Sequence, residues 1–112
     1  MSETPSDLQV CDNPEQHRFE IDLGDGTIAI AEYELLPDRI VFTHTEVPPK
    51  HEGHGIGSTL IRSALRSARK RGLKVIPVCP FFAEYMRKHV EEQDLLTGSW
   101  REKLGLPDRP AV

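Results

Sequence analysis

The feature that most constrains the fold is a glycine-rich loop, HEGHGIGS at residues 51–58, which lies between a β-branched and an amphipathic segment. IVFTHTEV (40–47), before the loop, predicts a strand. After the loop, apolar residues repeat at helical spacing up to Gly72, and LKVIPV (73–78) predicts another strand. A strand, a crossover helix and a second strand predict two parallel strands joined by a right-handed connection.

Two further segments with alternating polar and apolar residues precede this unit. HRFEIDL (17–23) and TIAIAEYEL (27–35) flank GDG (24–26), a strong hairpin signal because glycine tolerates positive φ. With strand 40–47 they predict an antiparallel three-strand meander. PFFAEYMRKHV (80–90) predicts a second helix that begins with proline, a residue favoured at the first helical position. The predicted fold class is therefore α/β, of the mixed α+β kind.

The 112 residues are enough for one domain, and the net charge of −4 gives no sign of nucleic-acid binding. Residues 1–16 are polar and acidic, lack the apolar core of a signal peptide, and predict a mobile leader. No stretch approaches the roughly 18 apolar residues of a membrane span. The two cysteines, Cys11 and Cys79, lie far apart, as in a reduced cytoplasmic protein. We expect a monomer or dimer with no nucleic-acid or membrane partner.

The glycine loop itself is compatible with a flexible joint, a phosphate cradle or a metal loop. A helix that begins after such a loop presents backbone N–H groups and a partial positive charge to anions. The Walker pattern is absent because no lysine precedes Ser58, and the dinucleotide fingerprint GxGxxG fails because Ser58 takes the position of its last glycine. The histidines have no paired ligand spacing, so we expect no metal site.

One known sequence pattern fits the loop. Residues 52–57 match the pattern [QR]-x-x-G-x-[GA] except at Glu52, where glutamine or arginine is usual. Together with HTEVPP (44–49) and LKVIPVCPFFAEYMRKH (73–89), this stretch resembles the GNAT superfamily of N-acetyltransferases, and within it the short single-domain YjdJ-type subfamily. The resemblance spans about residues 17–97. It implies a C-terminally shortened GNAT-like fold at 17–98, followed by a short helix and tail at 99–112.

The resemblance also implies acetyl-CoA as cosubstrate. Its pantetheine arm would pair with the main chain at Glu46 and Val47, where the two parallel strands separate. Its pyrophosphate would bind to the backbone amides of His54, Gly55, Ile56, Gly57 and Ser58.

Acetyl transfer to an amine requires a general base, and Glu46 is our first candidate. A carboxylate at the end of this strand is a common base position in the resembled superfamily. The apolar run from Ile40 to Phe42 leads towards Glu46 and predicts partial desolvation of its side chain. His44 lies two residues earlier, on the same face of the strand. It is a second candidate, although a histidine hydrogen-bonded near the core is the simpler interpretation.

Two further candidates follow the second parallel strand. Cys79 immediately precedes a predicted helix, and a helix N-terminus stabilises the thiolate form of a cysteine. It is a candidate acetyl acceptor, and equally a small buried residue at the end of a strand. Tyr85 lies in the helix where many enzymes of the resembled superfamily place a tyrosine acid. It would protonate the departing thiolate or only line the pantetheine channel.

The leading functional hypothesis is an N-acetyltransferase that moves acetyl from acetyl-CoA to an amine, either directly or through acetyl-Cys79. The acceptor would be a small molecule or a protein lysine. The alternative is a non-catalytic or regulatory CoA-binding module. A third hypothesis is an interaction domain that has lost the cofactor, for which Glu52 is the only sign.

Overall fold

The computed structural model describes residues 9–106. The strands are β1 (Val10–Asn13), β2 (Arg18–Asp22), β3 (Ile28–Leu35), β4 (Arg39–Glu46) and β5 (Lys74–Pro77). They form a five-stranded sheet in the order β1-β2-β3-β4-β5, in which the first four strands are antiparallel and β4 and β5 are parallel. The helices are α1 (Ile56–Lys70), α2 (Pro80–Lys88) and α3 (Gly98–Lys103), with 3-10 helices at Pro14–Gln16, Pro49–His51 and Val90–Leu95. Within residues 9–106, no helix is long and apolar enough to cross a membrane.

The alternating segments form the predicted hairpin. Phe19 and Ile21 of β2 are buried, and they pair with Ala31 and Ala29 of β3. Side chains two residues apart on a strand share a face, so these apolar positions form one continuous surface that packs against the helices. The hairpin and the mixed α/β architecture are as the sequence predicted.

The structure differs from the prediction at the N-terminus. Residues 10–16, predicted as part of a mobile leader, form β1 and one turn of 3-10 helix, and β1 pairs antiparallel with β2. The Tyr33 hydroxyl donates to Asp12 Oδ1 at 2.6 Å, and Arg71 at the end of α1 lies 3.7 Å from the same carboxylate. The meander therefore has four strands. Residues 1–8 of the predicted leader lie outside the described residues.

The crossover from β4 through α1 to β5 follows the prediction. Seven residues of α1 are buried, and they recur at the three- and four-residue spacing of an amphipathic helix: Ile56, Thr59, Leu60, Ile61, Ala64, Leu65 and Ala68. The helix ends at Lys70, and Gly72 follows with a φ of 70°. β5 then pairs with β4 from Arg39–Lys74 to Phe42–Pro77. This arrangement places the N-terminus of α1 at the end of the sheet where β4 finishes.

The C-terminal segment packs onto this core. Phe82 of α2 stacks on Phe42 with ring centroids 4.0 Å apart. The buried Gln93 side chain donates to the Met86 carbonyl oxygen, and Arg101 of α3 donates to the Gln93 carbonyl oxygen at 2.6 Å. The predicted short helix is thus α3, which begins one residue before the predicted boundary at 99. Residues 107–112 of the predicted tail lie outside the described residues.

Candidate functional site

The glycine loop makes its turn at two residues with left-handed backbone. Gly53 has a φ of 86° and Gly55 a φ of 77°, and L residues with side chains avoid this region. Gly57 lies inside α1, where a side-chain carbon would meet the Val47 side chain at an ordinary 3.7 Å. The turn therefore explains why the first two of these residues are glycine. The third leaves the start of α1 without a side chain where it passes Val47.

The N-terminus of α1 is open. The helix begins at Ile56, and the Thr59 N–H donates to the Gly55 carbonyl oxygen at 3.0 Å. The earlier N–H groups of any helix lack intrahelical acceptors. No described side chain caps this end, and its first turn carries no acid. The partial positive charge of a 15-residue helix is thus directed at a surface suited to an anion.

Two adjacent cavities border this helix start. One, of about 280 Å³, is lined by the loop and by Val47. The other, of about 330 Å³, continues along α2 and is lined by Tyr85, Lys88 and His89. Both include Gly57, Ser58 and Phe81 in their linings, so they adjoin each other, and we call the two together the helix groove. At the loop end it offers backbone amides, and along α2 it offers aromatic and charged side chains.

Strands β4 and β5 separate beside the groove. Their ladder ends at Phe42 and Pro77, and the Cys79 N–H makes one last bond to the Phe42 carbonyl oxygen at 2.8 Å. β4 continues to Glu46, paired on its other side with β3. Among residues 9–106, none pairs with the β5 side of β4 beyond this point. The main chain before Val47 therefore faces an open wedge.

A β-bulge at Thr43 changes which side chains of β4 face the core. Tyr33 pairs with Phe42 and Glu32 with His44, so Thr43 is an extra residue without an opposite partner. Ile40 and Phe42 are buried before the bulge, whereas Thr45 is the buried residue after it.

Because of the bulge, the Glu46 side chain is more exposed than the sequence predicted. The sequence placed Glu46 in line with the apolar run Ile40 to Phe42 and predicted partial desolvation, but its side chain is 69% exposed. His44, the second base candidate, is 54% exposed, and its Nε2 lies 3.9 Å from Glu46 Oε2. The two side chains share a face, as predicted, and that face is open to solvent instead of facing the core.

Cys79 lies on the opposite side of β4. It is 3% exposed, and its Sγ lies 3.3 Å from the hydroxyl oxygen of Thr45, itself 7% exposed. Thr45 and Glu46 are neighbours in a strand, so their side chains point to opposite faces. Cys79 lines neither cavity of the helix groove. The structure therefore does not bring Cys79 and Glu46 together. The sequence reasoning missed Thr45, because the bulge that turns it inwards leaves no local pattern.

Tyr85 lies in the helix groove with the loop residues. Its ring stacks on His89 at a centroid distance of 3.8 Å, and His89 Nδ1 lies 2.7 Å from the Tyr85 carbonyl oxygen. Burial raises the pKa of the Tyr85 phenol, opposed in part by the positive charge of Arg62. Phe81, 57% exposed, lines the same groove. Phe81 therefore belongs to this surface and not to the core.

The sequence reasoning also missed Asp25, at the tip of the β2–β3 hairpin. Its carboxylate lies 2.9 Å from His51 Nε2 and 3.4 Å from Lys50 Nζ, so the hairpin touches the segment that opens the glycine loop. The Thr27 hydroxyl, and after it His51, hold the pKa of this carboxyl well below its usual range. Glu52 is exposed and lines the groove beside them. Within residues 9–106, no three His, Cys, Asp or Glu side chains converge as metal ligands would.

Comparison with known proteins identifies the family of this chain. Residues 18–95, more than half of the chain, match the model of a family described as GCN5-related N-acetyl-transferase. The match runs from the start of β2 to the end of the 3-10 helix Val90–Leu95, and it includes the glycine loop and the whole helix groove. A search of curated proteins finds no match.

Proposed function

The chain belongs to the GCN5-related N-acetyl-transferase family, and on that premise we propose that it moves acetyl from acetyl-CoA to an amine. The observation that carries the proposal is the open N-terminus of α1, which faces a groove large enough for the cofactor's arm. We place the chain in the short YjdJ-type subfamily on the strength of its loop and its flanking segments.

In this proposal the pyrophosphate binds to the N-terminus of α1. The donors are the backbone amides of His54, Gly55, Ile56, Gly57 and Ser58. Support comes from the left-handed Gly55 just before the helix and from the absence of an acid in the first turn. Glu52 lies beside this site and makes it less cationic than one with glutamine or arginine would be. The pantetheine arm pairs with the main chain of Glu46 and Val47 in the wedge between β4 and β5.

The proposed transfer is direct. The amine nitrogen attacks the thioester carbonyl carbon, Glu46 accepts a proton from the amine, and the carbon–sulfur bond breaks. Support for Glu46 is its position at the end of β4, exposed to an incoming acceptor. His44 lies close enough to assist, or to replace Glu46 in part. The acceptor class is an amine of a small molecule or a protein lysine, which an exposed base can reach.

Tyr85 is the proposed acid. Its phenol protonates the thiolate that leaves, and its deprotonated form is neutralised from solvent afterwards. One observation supports this role: Tyr85 lines the groove with Gly57 and Ser58. Burial raises the pKa of its phenol, which at the ordinary value of about 10 is already protonated at neutral pH.

The alternative route through acetyl-Cys79 is disfavoured by burial. At 3% exposure, the thiol has no open path to a thioester unless the start of α2 moves. Its contact with the Thr45 hydroxyl supports a packing role at the end of the wedge. We therefore propose direct transfer, with Cys79 as a structural residue.

A non-catalytic CoA-binding module is the second candidate. One observation favours it: Glu46, the proposed base, lines neither cavity of the helix groove in which Tyr85, the proposed acid, lies. Incubation with acetyl-CoA labelled in the acetyl group, together with a panel of diamines and lysine peptides, separates the two. Labelled amide product at a rate above the uncatalysed one supports the enzyme. Tight acetyl-CoA binding without labelled product identifies the binding module.

A further inference from the structure

The tip of the β2–β3 hairpin holds the beginning of the glycine loop. Asp25 and His51 are 26 residues apart in sequence, and Asp25 Oδ2 lies 2.9 Å from His51 Nε2. Lys50 Nζ lies 3.4 Å from the same oxygen. Both side chains of the Asp25–His51 contact are more than two-thirds shielded, whereas Lys50 is 74% exposed and contributes little. The main tie is therefore between Asp25 and His51.

The orientation of the Asp25 carboxylate is fixed by contacts within its own hairpin. Its Oδ1 accepts from the Thr27 N–H at 3.1 Å and from the Thr27 hydroxyl at 2.5 Å. Gly24 and Gly26 flank it with φ values of 84° and 88°, which gives the hairpin tip a defined turn. The carboxylate is thus pre-oriented by its own hairpin, so its contact with His51 transfers that rigidity to another element.

The loop that it contacts has few other restraints. On one side, the N–H groups of His51 and Glu52 donate to the carbonyl oxygens three residues earlier at 2.8 and 3.3 Å, and on the other, the Gly55 carbonyl oxygen accepts from the Thr59 N–H and hydroxyl. Gly53 and Gly55 lie between these points and have the widest conformational freedom of any residue type. A side-chain tie at His51 restricts the orientations from which the loop can enter the helix.

We propose that Asp25 is a positioning residue for cofactor binding: through His51 it holds loop 51–55 in the conformation that leaves the N-terminus of α1 open to pyrophosphate. This role rests on the proposed function of acetyl-CoA binding. Asp25 need not touch the cofactor. It lowers the entropy that the loop would lose when the cofactor binds.

The direction in which acetyl-CoA affinity changes when Asp25 is removed distinguishes positioning from a simple electrostatic effect. Asp25 is a negative charge near a site for an anion, so its removal would tighten acetyl-CoA binding if charge alone mattered. If Asp25 positions the loop, its removal weakens binding.

The test is a double-mutant cycle on acetyl-CoA binding, measured by calorimetry with the full-length protein. We expect Asp25→Ala to raise the Kd about 3- to 10-fold in the wild-type background, within the range of an ordinary side-chain hydrogen bond. In the His51→Ala background the same change should have less than about a 2-fold effect, because the contact is already absent. Unchanged or tighter binding, or equal weakening in both backgrounds, would overturn the positioning role.

Two control variants separate positioning from loss of charge or folding. Glu34→Ala removes the same charge from the far part of β3, and its Kd should match that of the wild type. Asp25→Asn keeps an oxygen for Thr27 and an amide for His51, so it should restore binding to within about 2-fold of wild type. Asp25→Asn that binds as weakly as Asp25→Ala would contradict the geometric account.

Two further readouts distinguish a failure of the positioning role from a failure of the proposed function. Asp25→Ala should speed amide hydrogen exchange in residues 51–55 of the free protein and leave exchange in β4 unchanged. In the enzyme it should raise KM for acetyl-CoA with kcat unchanged. A wild type that binds no acetyl-CoA overturns the proposed function and the role built on it. A wild type that binds, with Asp25→Ala binding and exchanging alike, overturns the positioning role alone.

Discussion

The hydroxyl oxygen of Thr45 lies 3.3 Å from the sulfur of Cys79, 34 residues later in the chain, at the point where β4 and β5 separate. Both side chains are buried, and both lie on the core side of β4. Glu46, the next residue, faces solvent. At this point the Thr45 side of β4 is packed against Cys79 and the Glu46 side is open to solvent.

The first prediction concerns Cys79. Cys79→Ala should keep acetyl transfer within about 3-fold of wild type, because a thiol at 3% exposure has no path to the thioester. The cavity left behind should lower the free energy of unfolding by about 1 kcal/mol. Steady-state transfer and denaturant unfolding measure the two effects. A loss of transfer of 100-fold or more in a folded Cys79→Ala protein would instead establish the covalent route.

A second prediction concerns Glu46. Glu46→Gln should lower kcat about 10- to 100-fold, below the full range of general-base catalysis because His44 lies 3.9 Å away and can substitute in part. The affinity for acetyl-CoA and the free energy of unfolding should stay unchanged, since the side chain is exposed. Glu34→Gln, on the neighbouring strand, serves as the control for charge. An unaltered kcat in Glu46→Gln would remove Glu46 as the base.

The third prediction concerns pH and Tyr85. Burial raises the pKa of this phenol, so its proton-donating form is present throughout the neutral range and is lost only above the ordinary tyrosine pKa of about 10. We expect the wild-type kcat to fall at alkaline pH, and Tyr85→Phe should lower kcat about 10-fold and abolish that fall. The pH–rate profiles of both proteins decide this. Profiles with the same alkaline limb would assign that limb to another group.

How far the sequence predicts such a site depends on how local each signal is. The strands on either side of the turn at 24–26 show apolar residues at every second position, and the buried face of α1 shows them at every third or fourth. Both patterns can be recognised without knowing the fold. β1 (Val10–Asn13) carries no such repeat in its four residues, and its place depends on pairing with β2 and on the Tyr33–Asp12 bond. It was therefore missed.

The functional residues show the same division. The loop glycines predict an anion site because the helix start is local to them, and that site stays a prediction. The exposure of Glu46 depends on the bulge at Thr43, whose position is set by pairing with β3. The contact between Asp25 and His51 joins residues 26 apart and exists only once the hairpin lies beside the loop. These relationships depend on the tertiary structure, and no spacing of residues in the sequence predicts them.

A fourth prediction tests whether β1 is part of the folded unit. The Tyr33 hydroxyl donates to Asp12, and burial, followed by Asp12, raises its pKa to about 12. A raised pKa means that this contribution to stability is complete below the unfolded value of about 10 and is lost as pH rises from about 10 to about 12. Tyr33→Phe should lower the free energy of unfolding by about 1 kcal/mol at neutral pH and reduce its dependence on pH above 10. Identical alkaline curves for both proteins would contradict this assignment.

A fifth prediction concerns the loop turn. Gly53→Ala and Gly105→Ala both place a side chain at a left-handed φ, 86° and 74°, with no atom within 4 Å of the new carbon. Each should lower the free energy of unfolding by about 1 to 2 kcal/mol. Acetyl-CoA binding should weaken about 10-fold or more in Gly53→Ala alone, because Gly105 lies beyond α3. Equal affinities in the two variants would show that the turn at Gly53 is not needed for the cofactor.

The central claim is that the N-terminus of α1 binds the pyrophosphate of acetyl-CoA, and the most direct test compares two ligands. Acetyl-pantetheine carries the same thioester and arm but lacks the pyrophosphate and the nucleoside. Calorimetry at low salt should give an acetyl-CoA affinity at least about 100-fold tighter than that of acetyl-pantetheine, since only acetyl-CoA meets the helix dipole and its free amides. Equal affinities for the two ligands, or no binding of acetyl-CoA, would contradict the claim.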